Sequence, residues 1–128
     1  MVIKTLKKFS LLPVITVKTE DTVIEAAKKL CDFQERRIFV IDRKKFPVGI
    51  ISIVDINDRV VARGKDPKKT KAKEIMSYPL TLIADVNDSS QEILKKMIQK
   101  DNYYVPVVEK GVLKGLITYA TLRESSKK

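Results

Sequence analysis

Histidine is absent from these 128 residues, and cysteine occurs once, at Cys31. The missing imidazole removes a His-based triad, most zinc sites and the commonest general base. A lone thiol forbids an internal disulfide and fits a reducing cytoplasm. Cys31 is expected on or near a buried helix face, where it fills space. No apolar run approaches the ~18 residues needed to span a membrane. The start, Met1-Val2-Ile3-Lys4-Thr5-Leu6-Lys7-Lys8, holds no apolar stretch of the secretory-signal kind. No pair of carboxylates stands out in apolar surroundings. The expectation is a cytoplasmic protein that is not an enzyme and carries neither a metal nor a resident cofactor.

What is present is charge and repetition. Hydrophobic residues make up 44% and charged residues 33%, the balance of a soluble globular domain rather than a disordered chain. Lysine and arginine outnumber acids 26 to 16, a net charge of +10. Such a surface favours anionic partners: nucleotides, nucleic acid or acidic proteins.

Pro13 and Pro79 lie 66 residues apart, and so do Gly49 and Gly115. Between these anchors the two halves read alike. In the first half, Ile3 to Phe9 is a short helix-like lead. Val14 to Val17 is a strand rich in β-branched residues. Thr22 and Glu25 stand at capping-box spacing before a helix that buries Val23, Ala26, Ala27 and Leu30. Arg36 to Asp42 and Val48 to Ser52 read as antiparallel strands, and Ile56 to Arg63 as a helix. The second half gives a lead helix at Glu74 to Met76 and a strand from Leu80 to Ile83. Ser89 and Glu92 then precede a helix burying Ile93, Leu94, Met97 and Ile98. Strands at Tyr103 to Val108 and Leu113 to Thr118 follow, with a helix from Thr121 onward. Each half is β-α-β-β-α, an α+β fold of two repeats expected to pack about a pseudo-twofold axis. The first repeat spans 1–63, a basic linker 64–73 is expected to be solvated, and the second repeat spans 74–128.

The stretch with the most chemistry is Gly49-Ile50-Ile51-Ser52-Ile53-Val54-Asp55. A buried strand ending at Ser52 is expected to turn into a helix that starts near Asp55. A helix start carries unpartnered N–H groups and partial positive charge, a seat for an anion. Gly49 admits close approach of another group. Asp55 could accept two ribose hydroxyls, or it could only cap the helix.

These pieces, in the same order twice, resemble a tandem pair of CBS domains, named for cystathionine β-synthase. The resemblance rests on Pro13-Val14-Ile15-Thr16-Val17 and Pro79-Leu80-Thr81-Leu82-Ile83, on Tyr104-Val105-Pro106-Val107-Val108, and on the two glycine-started strands. It implies two clefts that take adenosine-containing ligands: AMP, ADP, ATP or S-adenosylmethionine. Gly49, Ser52 and Asp55 match the family pattern Gly-x-x-Thr/Ser-x-x-Asp. That gives Asp55 the ribose and Ser52 a phosphate. Leu80, Thr81 and Leu82 would complete the cleft, with Tyr103 and Tyr104 near the base and Arg36 or Arg37 on phosphate. The other cleft, with Ile15, Thr16, Gly115, Thr118 and Thr121, has a hydroxyl where the carboxylate is expected. It should bind weakly, bind another ligand or stay empty. Phe39 stands where Pro106 stands in the second repeat, and its larger ring could narrow one cleft.

The resemblance implies a homodimer. These 128 residues leave no room for the enzyme, channel or transporter that many relatives carry, so the expected target is a separate protein, and the lack of a long apolar run gives no expectation of a membrane partner. Two other readings compete with the nucleotide sensor. One is a nucleic-acid-associated module using the linker lysines with Lys44, Lys45, Lys110 and Lys114. The other is a structural dimer built on exposed faces of Ile56-Val60-Val61 and of the Ile93 helix.

Overall fold

The computed structural model describes residues 4–126, which form two compact units. One, here the Asp55 unit, runs Ile15–Leu80. The other, the Thr121 unit, joins the segment ending at Val14 to the chain from Thr81 onward. The sequence repeats and the folded units are thus cut at different places.

In the Asp55 unit, β1 (Thr16–Lys18) pairs in parallel with β2 (Arg37–Ile41), which pairs antiparallel with β3 (Pro47–Ser52). The parallel pairing needs a crossover, supplied by α1 (Val23–Phe33). The expected capping box is there: Glu25 N donates to Thr22 Oγ1 at 3.3 Å, and Thr22 N donates to the Glu25 carboxylate at 3.1 Å. Val23, Ala26 and Leu30 are buried, along with Val17, Ile38 and Ile51 of the sheet. Helix α2 (Ile53–Ile56) follows β3 directly and continues as a π-helical turn, Asn57–Val61. It therefore starts at Ile53, with Ser52 as its N-cap, and not near Asp55. The lead of the second repeat, α3 (Ala72–Ile75), packs here too, with Ala72 and Ile75 in the core.

The Thr121 unit repeats the plan. Strand β4 (Ala84–Asp85) pairs in parallel with β5 (Tyr104–Glu109), which pairs antiparallel with β6 (Val112–Thr118). Helix α4 (Ser90–Lys100) is the crossover, capped by Ser89 Oγ accepting from Glu92 N at 3.4 Å, and α5 (Tyr119–Ser126) closes the chain. The strand expected at Leu80 to Ile83 begins only at Ala84. The first repeat's lead packs here: a 3-10 turn, Leu6–Lys8, buries Leu6 in this core. The part of that lead at Ile3 lies outside the described residues.

The leads are exchanged, and each completes a sheet edge in the same way. Leu12 N donates to Leu116 O at 2.9 Å and Leu116 N to Leu12 O at 3.0 Å; Ser77 N donates to Ile50 O at 2.8 Å and Ile50 N to Ser77 O at 3.1 Å. This explains the paired glycines. A Cβ on Gly115 would lie 2.7 Å from the Leu12 carbonyl oxygen, and one on Gly49 would collide with the Met76 thioether. The close approach expected at Gly49 is thus made by the protein's own lead.

Some expectations change. The linker is not wholly solvated: Thr70 and Ala72 are buried, and Ala72 N donates to Asp21 O at 2.7 Å. Glu20 ties the same segment down, 2.6 Å from Lys71 and 2.8 Å from Lys73. Ile98 is exposed rather than buried, because the apolar side chains that α4 turns fully inward are Ile93 and Met97. Cys31 is exposed rather than buried. Val60 and Ile93 face the cores, so the exposed apolar positions are Ile53, Val54 and Val61 on α2 and its π-helical turn, and Ile98 on α4.

Candidate functional site

Ser52 and Asp55 hold each other at the start of α2. Asp55 N donates to Ser52 Oγ at 3.0 Å, and Ser52 N donates to Asp55 Oδ2 at 2.9 Å. Helix cap and candidate ligand carboxylate are therefore one residue in one geometry. Asp55 is not used up by this. Its Oδ1 faces Arg59 Nη2 at 3.7 Å, and a carboxylate has about four acceptor positions. The Ser52 hydroxyl accepts from Asp55 N, and its own proton remains available to an anion.

Arg36 and Arg37 sit where β2 begins, and Arg37 pairs with Ser52 across the sheet. With Ser52, Ile53 and Val54 they line one open pocket of about 350 Å³. Neither guanidinium has an ion-pair or hydrogen-bond partner among the described residues. Two cations without counter-ions, beside a hydroxyl and a helix start, are suited to phosphate oxygens. Ile53 N is not free for that role, since it donates to Arg36 O at 3.1 Å.

Strand register identifies the counterparts in the Thr121 unit. Tyr104 pairs with Thr118 as Arg37 pairs with Ser52, and Tyr119 N donates to Tyr103 O at 3.0 Å as Ile53 N donates to Arg36 O. Both arginines are thus replaced by tyrosines. Tyr103 meets Tyr119 edge-to-face, ring centroids 5.3 Å apart. Asp101, hydrogen-bonded to the Tyr103 phenol, raises its pKa, and burial adds to the shift. Neither tyrosine belongs to the buried core, although strand alternation would have one face inward. Thr118 and Thr121 keep the local cap through hydroxyls 3.1 Å apart, with no carboxylate.

The structure gathers Arg36, Arg37, Gly49, Ser52, Asp55 and Leu80 in one unit, together with Ile15 and Thr16. Thr81, Leu82, Tyr103, Tyr104, Gly115, Thr118 and Thr121 belong to the other. Gly49 and Gly115 serve the lead contacts described above. Phe39 is buried in β2. Sequence reasoning missed Arg59, whose position four residues after Asp55 was the available signal. Among the described residues no cluster of histidine, cysteine, aspartate or glutamate could hold a metal ion, and no helix is long and apolar enough to cross a membrane.

Comparison with known proteins decides the family: the CBS domain matches residues 6–62 and again residues 72–128. The chain belongs to the CBS domain family. CBS domains are in general regulatory modules rather than catalysts. An uncharacterized protein of Methanopyrus kandleri is 31% identical over 106 residues, covering 82% of this chain and 54% of its own length. The CBS domain-containing protein CBSCBSPB2 of Arabidopsis thaliana is 29% identical over 115 residues, covering 89% of this chain and 21% of its own. This CBS pair therefore spans about half the length of the first relative and about a fifth of the second. Among solved structures, Hypoxic Response Protein I, crystallised with two coordinated zinc ions, superposes with a TM-score of 0.76 at 25% identity, covering 94% of this chain and 98% of that one.

Proposed function

We propose that this CBS pair is a regulatory module whose Asp55 unit binds an adenosine phosphate, AMP, ADP or ATP. Asp55 takes the ribose hydroxyls, Ser52 and the arginines take the phosphates, and the module performs no chemistry of its own. The observation that carries this is the pocket that joins Arg36, Arg37 and Ser52 beside the Asp55 cap. Two unpaired guanidinium groups favour a polyphosphate over S-adenosylmethionine, whose sulfonium is itself a cation. Binding regulates a partner only if two states of the module hold the ligand differently. Calorimetric titration with AMP, ADP, ATP and S-adenosylmethionine tests the reading. Affinity should rise with phosphate number and be lowest for S-adenosylmethionine; no heat with any of the four overturns it.

Self-association is the second part of the proposal. Between α1 and α2 lies an apolar groove of about 320 Å³, lined by residues that include Leu30, Cys31, Ile53, Ile56 and Val61. Ile53 and Val61 expose about half or more of their surface there, the kind of apolar surface that a second copy would cover. Light scattering should give a dimer mass, and a monomer at high protein concentration removes this part.

A further inference from the structure

Arg59 touches two parts of the Asp55 unit that are distant in sequence. Its Nη1 donates to the Ile75 carbonyl at 2.7 Å, and its Nη2 lies 3.7 Å from Asp55 Oδ1. Ile75 is the last residue of α3. The next two residues are Met76, packed against Gly49, and Ser77, which exchanges two backbone hydrogen bonds with Ile50. One guanidinium thus spans from the candidate ligand carboxylate to the segment that closes the sheet edge. It sits in the π-helical turn Asn57–Val61, a form that recurs at functional positions. The carboxylate is oriented from both sides, by the Ser52 amide on Oδ2 and by Arg59 on Oδ1. A planar fork of donors can serve a carbonyl and a carboxylate together, whereas a lysine ammonium acts as a single point charge.

We infer that Arg59 is a positioning residue that couples the Asp55 carboxylate to the docking of residues 72–77. Movement of that segment releases the guanidinium and lets the carboxylate turn. A ligand that fixes the carboxylate favours the docked segment, and by linkage the docked segment favours the ligand to the same degree. The ligand half of this inference rests on the function proposed above; the coupling within the protein does not.

The test has a ligand-free arm and a nucleotide arm. Amide exchange of Ala72, Met76 and Ser77 is measured in the wild type, Asp55→Asn, Arg59→Met and the double variant. Each single change should speed exchange by about fivefold or more, and the double should be no faster than the faster single. Arg59→Lys provides a second variant: its ammonium keeps the charge beside Asp55 but is a single point charge that does not serve both partners as the fork does. It should speed exchange as Arg59→Met does and leave Asp55→Asn silent, which an arginine acting through its charge alone would not do. In the second arm ADP should bind Arg59→Met about fivefold or more weakly and slow exchange at 72–77 in the wild type only. Additive exchange effects, or an ADP affinity unchanged in Arg59→Met, overturn the coupling. Non-additive exchange with no ADP heat from the wild type upholds the coupling and refutes the nucleotide reading instead.

Discussion

The two units share a frame and differ at its rim. Both have a parallel-antiparallel three-stranded sheet, a capped crossover helix, and a glycine strand pressed against an exchanged lead. At the rim, the Asp55 unit presents two arginines and a carboxylate, and the Thr121 unit presents two tyrosines and two hydroxyls. Interior positions answer to packing, which is the same problem twice. Rim positions carry less of that packing duty, and their divergence is what the ligand binding proposed above would require.

The largest expected effect comes from making one rim resemble the other. Asp55→Thr should cost roughly 2–4 kcal/mol of nucleotide affinity, the loss of hydrogen bonds to a charged acceptor. Calorimetry would show this as the disappearance of heat. Thr121→Asp should not create a polyphosphate site, because Tyr103 and Tyr104 stand where the other unit has Arg36 and Arg37; strong ATP binding acquired there would refute the division of labour between carboxylate and cations. Next come the glycines, which separate the frames. Gly115→Ala meets a backbone carbonyl and should destabilise by about 2–3 kcal/mol, whereas Gly49→Ala meets a flexible methionine and should cost about 1 kcal/mol. Thermal or urea unfolding ranks them, and the reverse order would mean that the Leu12 contact yields more easily than the Met76 contact. Removing both cations, Arg36→Gln with Arg37→Gln, should lower ATP affinity by about 0.5–1 kcal/mol per charge and leave AMP nearly unchanged. The ATP-to-AMP ratio measures this, as does a flatter dependence on salt.

The smallest effect is one of pH. Hydrogen bonds from Lys71 and then Lys73 lower the Glu20 pKa from 4.5 to about 2, and the hydrogen bond to the Glu20 carboxylate raises that of Lys71. A depressed carboxyl stabilises fully above its unfolded pKa and loses that contribution as pH falls through its folded value. Acidification from pH 4.5 to 2 should therefore loosen the segment around Lys71, seen in the chemical shifts of Ala72 and Lys73. Glu20→Gln should abolish that pH dependence. The group is exposed, so the change in global stability should be slight.

Much of the frame was legible because local physics fixes it. The spacing of Thr22 and Glu25, the β-branched runs and the recurrence of glycines 66 residues apart each name an element or a repeat. The resemblance to CBS domains singled out Arg36, Arg37, Ser52 and Asp55, and the fold makes them neighbours at one rim. Three things were not legible. The start of α2 was placed late because Ser52, not Asp55, has the extended backbone of an N-cap. The strand at Leu80 to Ile83 failed because an apolar, β-branched run states a preference but not a pairing partner, and only Ala84 and Asp85 find one on β5. Ile98 and Cys31 were misplaced because an eleven-residue helix on a small sheet buries only a narrow stripe. The exchange of leads is a matter of long-range docking, to which periodicity is blind.

That exchange decides how the polypeptide can be dissected. Scissors placed at the joint between the repeats would leave each fragment holding a part that belongs to its sibling and missing one of its own. Residues 15–80, by contrast, form an uninterrupted stretch that keeps Ala72, Ile75, Met76 and Ser77 with the sheet they complete. A minimal peptide for studying the arginine-lined pocket therefore begins in the middle of one repeat and ends in the middle of the next.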